Sequence, residues 1–405
     1  MTSPLVQTTL VESTTVTRPR ILHLIEATSA GVARYVADLL LRIDTNAFDV
    51  TLAYSPRRAD DRFWRDLPVI QARGVRTFEI PMSRSIRPVD DSKALWQVYR
   101  LIKDLGFDVV HGHSSKAGFL GRLAAKLAGS RIVTIYSPHA ISISANPCYA
   151  PIERLAGYFT DAVLGVSRSE REELEGYRLM PSSKLHHVTA GIDISAFAEF
   201  PDDGQFRQHM QIPEKAVLIG TAGRLAPQKD PLGFVRAAAQ LHRDGVPAYF
   251  AWAGDGEMRQ EAESLARTLG VDSRMRFAGY YPDLRPFLAA LDIFALTSRY
   301  ESFGYVTCEA MAMGKPVVAT NVAGSNELVA DGETGFLVPA GDTEACAAAL
   351  GRLASDAFSR RVMGDAGQRR AREYYDVGRM VRQVEDLYRK LLEESWQQQH
   401  QLSPA

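Results

Sequence analysis

Cysteine is scarce. Cys148, Cys308 and Cys346 are the only three in 405 residues. They are far apart, odd in number and without metal-ligand spacing, which excludes a disulfide framework and fits a reducing compartment. Long apolar runs are missing as well: none approaches the roughly twenty residues that span a bilayer. Met1 to Pro19 is rich in Thr and Ser, lacks a basic start and an apolar centre, and carries Glu12, so it reads as a loose tail and not a secretory signal. Neither sign of charge dominates. Lys and Arg number 47 against 48 Asp and Glu, and this balance excludes the basic footprint of a nucleic-acid binder. A dinucleotide fingerprint is absent too: in AWAGDGE only Gly254 and Gly256 fit one, and the third glycine is lacking, which disfavours an NAD-dependent oxidoreductase.

What is present is an alternation of short apolar runs with helical periodicity. RILHLIE, FDVTLAYS, RTFEIPMS, DVVHGHS, RIVTIYS and AVLGVS read as strands with helices between them, the pattern of a parallel sheet with crossover helices. Residues 197–215 are polar and break the alternation, so a linker is expected there. A second series starts at VLIGTAGR, and an amphipathic helix is expected over 377–396, with tails at 1–19 and 397–405. The fold class is therefore α/β, with one domain over 20–196 and another over 216–376.

The chemistry concentrates between Thr297 and Asp342. IFALTS is a strand, RYESFGY a loop, and Tyr305 to Met313 a helix closed by Gly314. The loop brings the N–H groups of Ser302, Phe303, Gly304 and Tyr305 to a helix start, where unpaired donors and the helix dipole favour an anion such as a diphosphate. Glu301 precedes that seat and Glu309 lies about one turn into the helix, so both can face a cleft at the carboxyl end of the sheet.

Two glutamates separated by seven residues, followed by GKPVVAT, AGSNELV and ETGFLVPAGD, resemble the signature of the retaining glycosyltransferases of family 4. The resemblance implies two Rossmann-like domains facing across a cleft (GT-B), the C-terminal one holding a nucleotide-sugar and the final helix crossing back to the N-terminal one. It implies that Arg224 and Lys229, in GRLAPQKD after Gly223, neutralise the donor diphosphate. It places Glu309 on the ribose, Glu301 with the Ser302–Gly304 backbone on the sugar hydroxyls, Gly254 in a turn beside the donor, and the base near Tyr280 to Leu284. Among the Arg224, Lys229, Glu301 and His139 positions, His139 matches a histidine that reaches the reacting centre in relatives. Gly31 falls in a turn that lets the acceptor approach, where relatives carry two glycines and this chain has Ala30-Gly31. Ala190 stands where Asn is commoner.

No Asp-x-Asp motif accompanies these residues, so neither a metal nor another cofactor is expected, the nucleotide-sugar being substrate. His111 and His113 share a strand face but have no third ligand in view, and polar lining of the cleft is the expectation. Residues 51–131 hold 15 Lys and Arg against 8 Asp and Glu. A basic face made of Arg57, Arg58, Arg62, Arg65, Arg84, Arg87, Lys116, Arg122 and Lys126 would suit anionic headgroups. The expected function is transfer of a sugar from a nucleoside-diphosphate donor, uridine favoured over guanosine, to a lipid-linked saccharide in exopolysaccharide or O-antigen assembly. The expected location is cytoplasmic, peripheral at the inner face of the cell membrane. The alternatives are a catalytically silent nucleotide-sugar-binding subunit and a GT-B-fold epimerase.

Overall fold

The computed structural model describes residues 18–129, 131–139, 141 and 147–401; of the expected tails 1–19 and 397–405, residues 1–17 and 402–405 lie outside them, and 397–401 are helical, continuing the helix expected to stop at 396. Seven parallel strands form the first sheet: β1 (Arg20–Ile25), β2 (Asp49–Tyr54), β3 (Arg76–Glu79), β4 (Val109–His113), β5 (Val133–Ser137), β6 (Ala162–Gly165) and β7 (Leu185–His187), in the order β3-β2-β1-β4-β5-β6-β7. Six form the second: β8 (Val217–Ala222), β9 (Ala248–Ala253), β10 (Met275–Gly279), β11 (Ile293–Leu296), β12 (Val317–Thr320) and β13 (Gly335–Val338), in the order β10-β9-β8-β11-β12-β13. The central strands β1, β2, β4, β5, β6, β8, β9, β11 and β12 are short and largely buried, because helices cover both faces of each sheet, while the edge strand β3 is mostly exposed. These are two Rossmann-like domains in the GT-B arrangement. In each, the strand order reverses beside the first strand, between β1 and β4 and between β8 and β11, and such switch points open a crevice at the carboxyl ends.

Local chemistry starts the helices. The side chains of Asp60, Ser167, Asp230, Asp342 and Asp356 each accept a backbone N–H two or three residues on, satisfying donors that the first turn leaves unpaired. The chain passes between the two halves twice at one place. Ile192 donates to the Tyr375 carbonyl at 2.9 Å and Val377 returns a bond to Ile192 at 2.9 Å. Gly191 permits this contact, since a Cβ there would stand 2.8 Å from the Val377 Cα. The last helix, Val377–Gln401, then packs on the first sheet: Tyr388 is fully buried against Phe48, and Glu385 accepts the Asp44 N–H at 2.8 Å. Among the described residues no helix is long and apolar enough to cross a membrane.

Candidate active site

Two turns at the carboxyl end of the second sheet are tied together. Arg299 donates its N–H to the Gln228 carbonyl at 2.8 Å, the Gln228 amide reaches the Tyr300 carbonyl at 3.1 Å, and the Thr297 hydroxyl bonds the Lys229 carbonyl at 3.0 Å. The lock sets Lys229 Nζ 2.5 Å from Glu301 Oε1, which also accepts the Ser298 hydroxyl at 2.7 Å. The stem of Lys229 lies over Gly223. Gly254 is squeezed against the same turn: a Cβ there would stand 2.0 Å from the Gly223 carbonyl oxygen, so only glycine fits. Arg224 follows Gly223 but points away from this pair, 71% exposed, with Glu257 at 3.9 Å. Leu284 caps the helix Arg285–Ala290 and is partly buried on the core.

Beyond Glu301 the loop turns into the helix Tyr305–Ala312 through Gly304, at φ 88°. Among the described residues no hydrogen bond takes the backbone N–H of Ser302, Phe303, Gly304 or Tyr305. Four donors thus converge at a helix start with one cation beside them, a cradle for a multivalent anion. The Phe303 side chain is core, packed between Tyr305 and Tyr375, so only its backbone is available there.

The opposite wall comes from the first domain. Arg34, in the helix Ala30–Leu40, forms a close ion pair with one oxygen of Glu309, stacks on the Tyr305 ring at 4.5 Å and lies 3.5 Å from Asp38. Burial alone would lower the guanidinium pKa, but Glu309 and Asp38 reverse that and raise it. The other oxygen of Glu309 is buried without a partner and can accept from one hydroxyl donor. The Ser302 hydroxyl donates to the His139 carbonyl at 3.0 Å, and Glu327 accepts the N–H groups of Arg168 (2.9 Å) and Ser169 (2.6 Å), capping the helix Arg168–Gly176 from across the cleft. The structure therefore brings Glu301, Ser302, Gly304, Tyr305, Glu309, Lys229 and His139 into one region, with Gly31 close to the Tyr305 ring. Arg34 and Glu327 escaped sequence reading. Arg34 had a visible signal, an Arg–Asp pair spaced i,i+4 inside an apolar helix; Glu327 sits unremarked within AGSNELV.

Three expectations need correction. His111 and His113 do not line the cleft: both are fully buried, because β4 is a central strand and their shared face turns toward the last helix. Nor do they lack a third imidazole, since β1 pairs with β4 and sets His23 opposite His111; one ring nitrogen from each of the three lies within 4.8 Å of the others. The basic face is smaller than its residue count. Arg122 is buried, bonding Glu153 at 2.8 Å, while Lys116 pairs with Asp91 and Arg58 with Glu26. Ala30 explains a local departure: it adopts φ 56°, the left-handed region where glycine is at ease. Ala190 is fully buried beneath the Val166 carbonyl that accepts its N–H.

Comparison with known proteins agrees with this fold. Residues 29–196 match the family model "Glycosyltransferase Family 4" and residues 216–356 the model "Glycosyl transferases group 1". The chain is 28% identical over 325 residues to the Escherichia coli UDP-Gal:alpha-D-GlcNAc-diphosphoundecaprenol alpha-1,3-galactosyltransferase, covering 78% of this chain and 84% of that protein. It is 31% identical over 280 residues to the Mycolicibacterium smegmatis GDP-mannose-dependent alpha-(1-6)-phosphatidylinositol monomannoside mannosyltransferase, covering 66% and 73%. The crystal structure of Anabaena HepE in complex with UDP superposes with a TM-score of 0.77 at 22% identity, covering 92% of this chain and all of that one.

Proposed function

From the membership of this chain in the family 4 glycosyltransferases, we propose that it is a retaining, metal-independent enzyme. In this reading it moves a sugar from a uridine-diphosphate donor to a lipid-linked saccharide during polysaccharide or lipopolysaccharide assembly. The observation that carries the donor half is the cradle of unpaired N–H groups at Ser302–Tyr305 beside the Lys229–Glu301 pair. The diphosphate seats there, drawing Lys229 partly from Glu301, with exposed Arg224 free to swing onto it. The open oxygen of Glu309 takes a ribose hydroxyl. Negative charge grows on the leaving phosphate as the bond from the anomeric carbon to oxygen breaks, and fixed donors in a dry site stabilise it there. The acceptor hydroxyl attacks from the same face, its oxygen bonds the anomeric carbon, and its proton passes to the departing phosphate. The protein supplies position and field, with Glu301 orienting the sugar rather than bonding it.

The acceptor half is supported by the surface of the helix Pro88–Leu105. Val89, Lys93, Trp96 and Arg100 fall on one stripe at helical spacing and are all exposed, Val89 and Trp96 at 69% and 58%. Exposed Ile86 and Arg84 adjoin them. Apolar and basic groups alternating on one open face suit an anionic membrane surface. That UDP is the preferred nucleotide draws on the galactosyltransferase and HepE likenesses, and the mannosyltransferase likeness keeps GDP in the test.

A thermal-shift panel with UDP, GDP, ADP and their common sugars, run in chelator, tests the donor reading. At a hundred times its dissociation constant the right nucleotide stabilises by about 2.7 kcal/mol. The shift is expected for UDP in the unaltered protein and is expected to vanish in Glu309→Ala and Lys229→Ala. No shift with any nucleotide sinks the reading.

A further inference from the structure

Six polar side chains under the first sheet form a buried hydrogen-bonded series. His139 Nε2 lies 3.1 Å from His113 Nδ1, and His113 Nε2 lies 3.0 Å from His23 Nδ1. His23 Nε2 is 3.5 Å from the Tyr388 hydroxyl, a weak link, and that hydroxyl is 2.7 Å from His111 Nδ1. His111 Nε2 ends the series 2.8 Å from the Ser137 hydroxyl. His23, His111, His113 and Tyr388 are fully buried, so no water can replace a lost partner. Burial keeps the rings neutral, lowering His23 and His139 to about 3 and the other two well below the usual range.

Neutral imidazole carries one ring proton, and each link needs one proton, neither two nor none. When the buried Tyr388 hydroxyl must also donate its one proton within the series, two arrangements satisfy every link: all four rings protonated at Nε2, or all four at Nδ1. The first leaves His139 Nδ1 an acceptor; the second makes it a donor. Every nitrogen of His23, His111 and His113 is thereby used within the series, leaving no lone pair for a metal ion.

We propose that this series locks the tautomer of His139 to those of the other three rings and holds its ring orientation, making His23 and His113 positioning residues for glycosyl transfer and Tyr388 the link to the last helix. The inference rests on the family 4 glycosyltransferase reading for the place of His139 at the reacting centre; the hydrogen bonding itself is measurable in the free protein. Its physical value is that a histidine at φ 59° on a loop gains a defined donor or acceptor from a rigid sheet beneath it.

The test is long-range nitrogen–proton NMR of the whole protein labelled at its histidine rings. The expected spectrum shows His23, His111, His113 and His139 neutral and in one shared tautomer; mixed tautomers, or stoichiometric metal in the purified protein, overturn the proposal whatever the variants do. His23→Leu is expected to convert His139 from one fixed tautomer to an average of two, and His23→Asn, whose amide can meet His113, to restore it. A His139 signal unmoved by His23→Leu in a folded protein overturns it. Turnover of UDP-glucose or GDP-mannose, whichever the nucleotide panel selects, is expected to lose about 10- to 100-fold in kcat for His23→Leu with the donor KM unchanged, and His23→Asn to recover it; unchanged kcat overturns the positioning role. Failure of UDP and GDP to bind the unaltered protein would remove the donor reading alone, leaving the ring signals as they are.

Discussion

The two sheets share a topology and differ in what they bury. Where β1 meets β4 the first sheet encloses three imidazoles, whereas the matching strands β8 and β11 of the second enclose Leu218, Ile219, Phe294 and Ala295. The first domain keeps titratable groups beneath its sheet, including the Arg122–Glu153 pair and Glu170. The second keeps its charges at the carboxyl rim, in Lys229, Glu301 and Glu309. The difference teaches that this fold accepts a polar interior where another element completes it: the last helix brings the Tyr388 hydroxyl, and without that donor a buried imidazole is costly.

Acid is the strongest way to break the comparison. Buried neutral histidines bind protons only on unfolding, so between pH 6.5 and about 3 the unfolded chain holds more protons and stability falls as pH falls. Four such rings give a slope of up to about 5 kcal/mol per pH unit. Denaturant titrations from pH 7 to 4 should show the first domain yielding first; a flat profile would mean that the rings are not buried and neutral in solution.

Next comes the rim. Lys229→Ala removes one preorganised cation from the cradle and is expected to lower kcat/KM by about 10²–10³, about 3–4 kcal/mol, while the exposed Arg224→Ala costs less. Steady-state kinetics of the pair decides whether the structure ranks them correctly.

Glu170 sharpens the contrast with the opposite sign. Burial raises its pKa to about 7, with one oxygen unpartnered and the other accepting the Val166 N–H. The folded state therefore holds the extra proton between about 4.5 and 7, and stability falls as pH rises through that window. Glu170→Gln should stabilise the protein by about 2–3 kcal/mol at pH 8 and little at pH 4, read as the difference between unfolding curves. The smallest effect is expected at Ala30→Gly, where relief of the left-handed backbone outweighs added chain entropy by about 1 kcal/mol or less. Lower stability in that variant would show that the turn is not strained.

Much of this was legible in the chain. Central strands such as VVHGH and IFAL read as strands because helices bury both faces, and the Glu301 loop announced itself by a glycine, a helix start and paired acids. His111 and His113 showed that they share a face, but not which face, since that is decided by whatever packs on the sheet. Arg122 read as surface charge because its partner Glu153 lies 31 residues away. Arg34 and Glu309 are 275 positions apart in the sequence, and no local pattern joins them. What stayed hidden is pairing across distance: Tyr388 reaches His111 over 277 residues.

The carboxylate of Glu327 closes the amide end of a helix that belongs to the other domain. Whenever the two lobes part, that helix keeps its Ser167 cap but loses Glu327, and the amide hydrogens of Arg168 and Ser169 become open to exchange with solvent. Their exchange rate is thus a clock built into the protein, ticking each time the cleft opens.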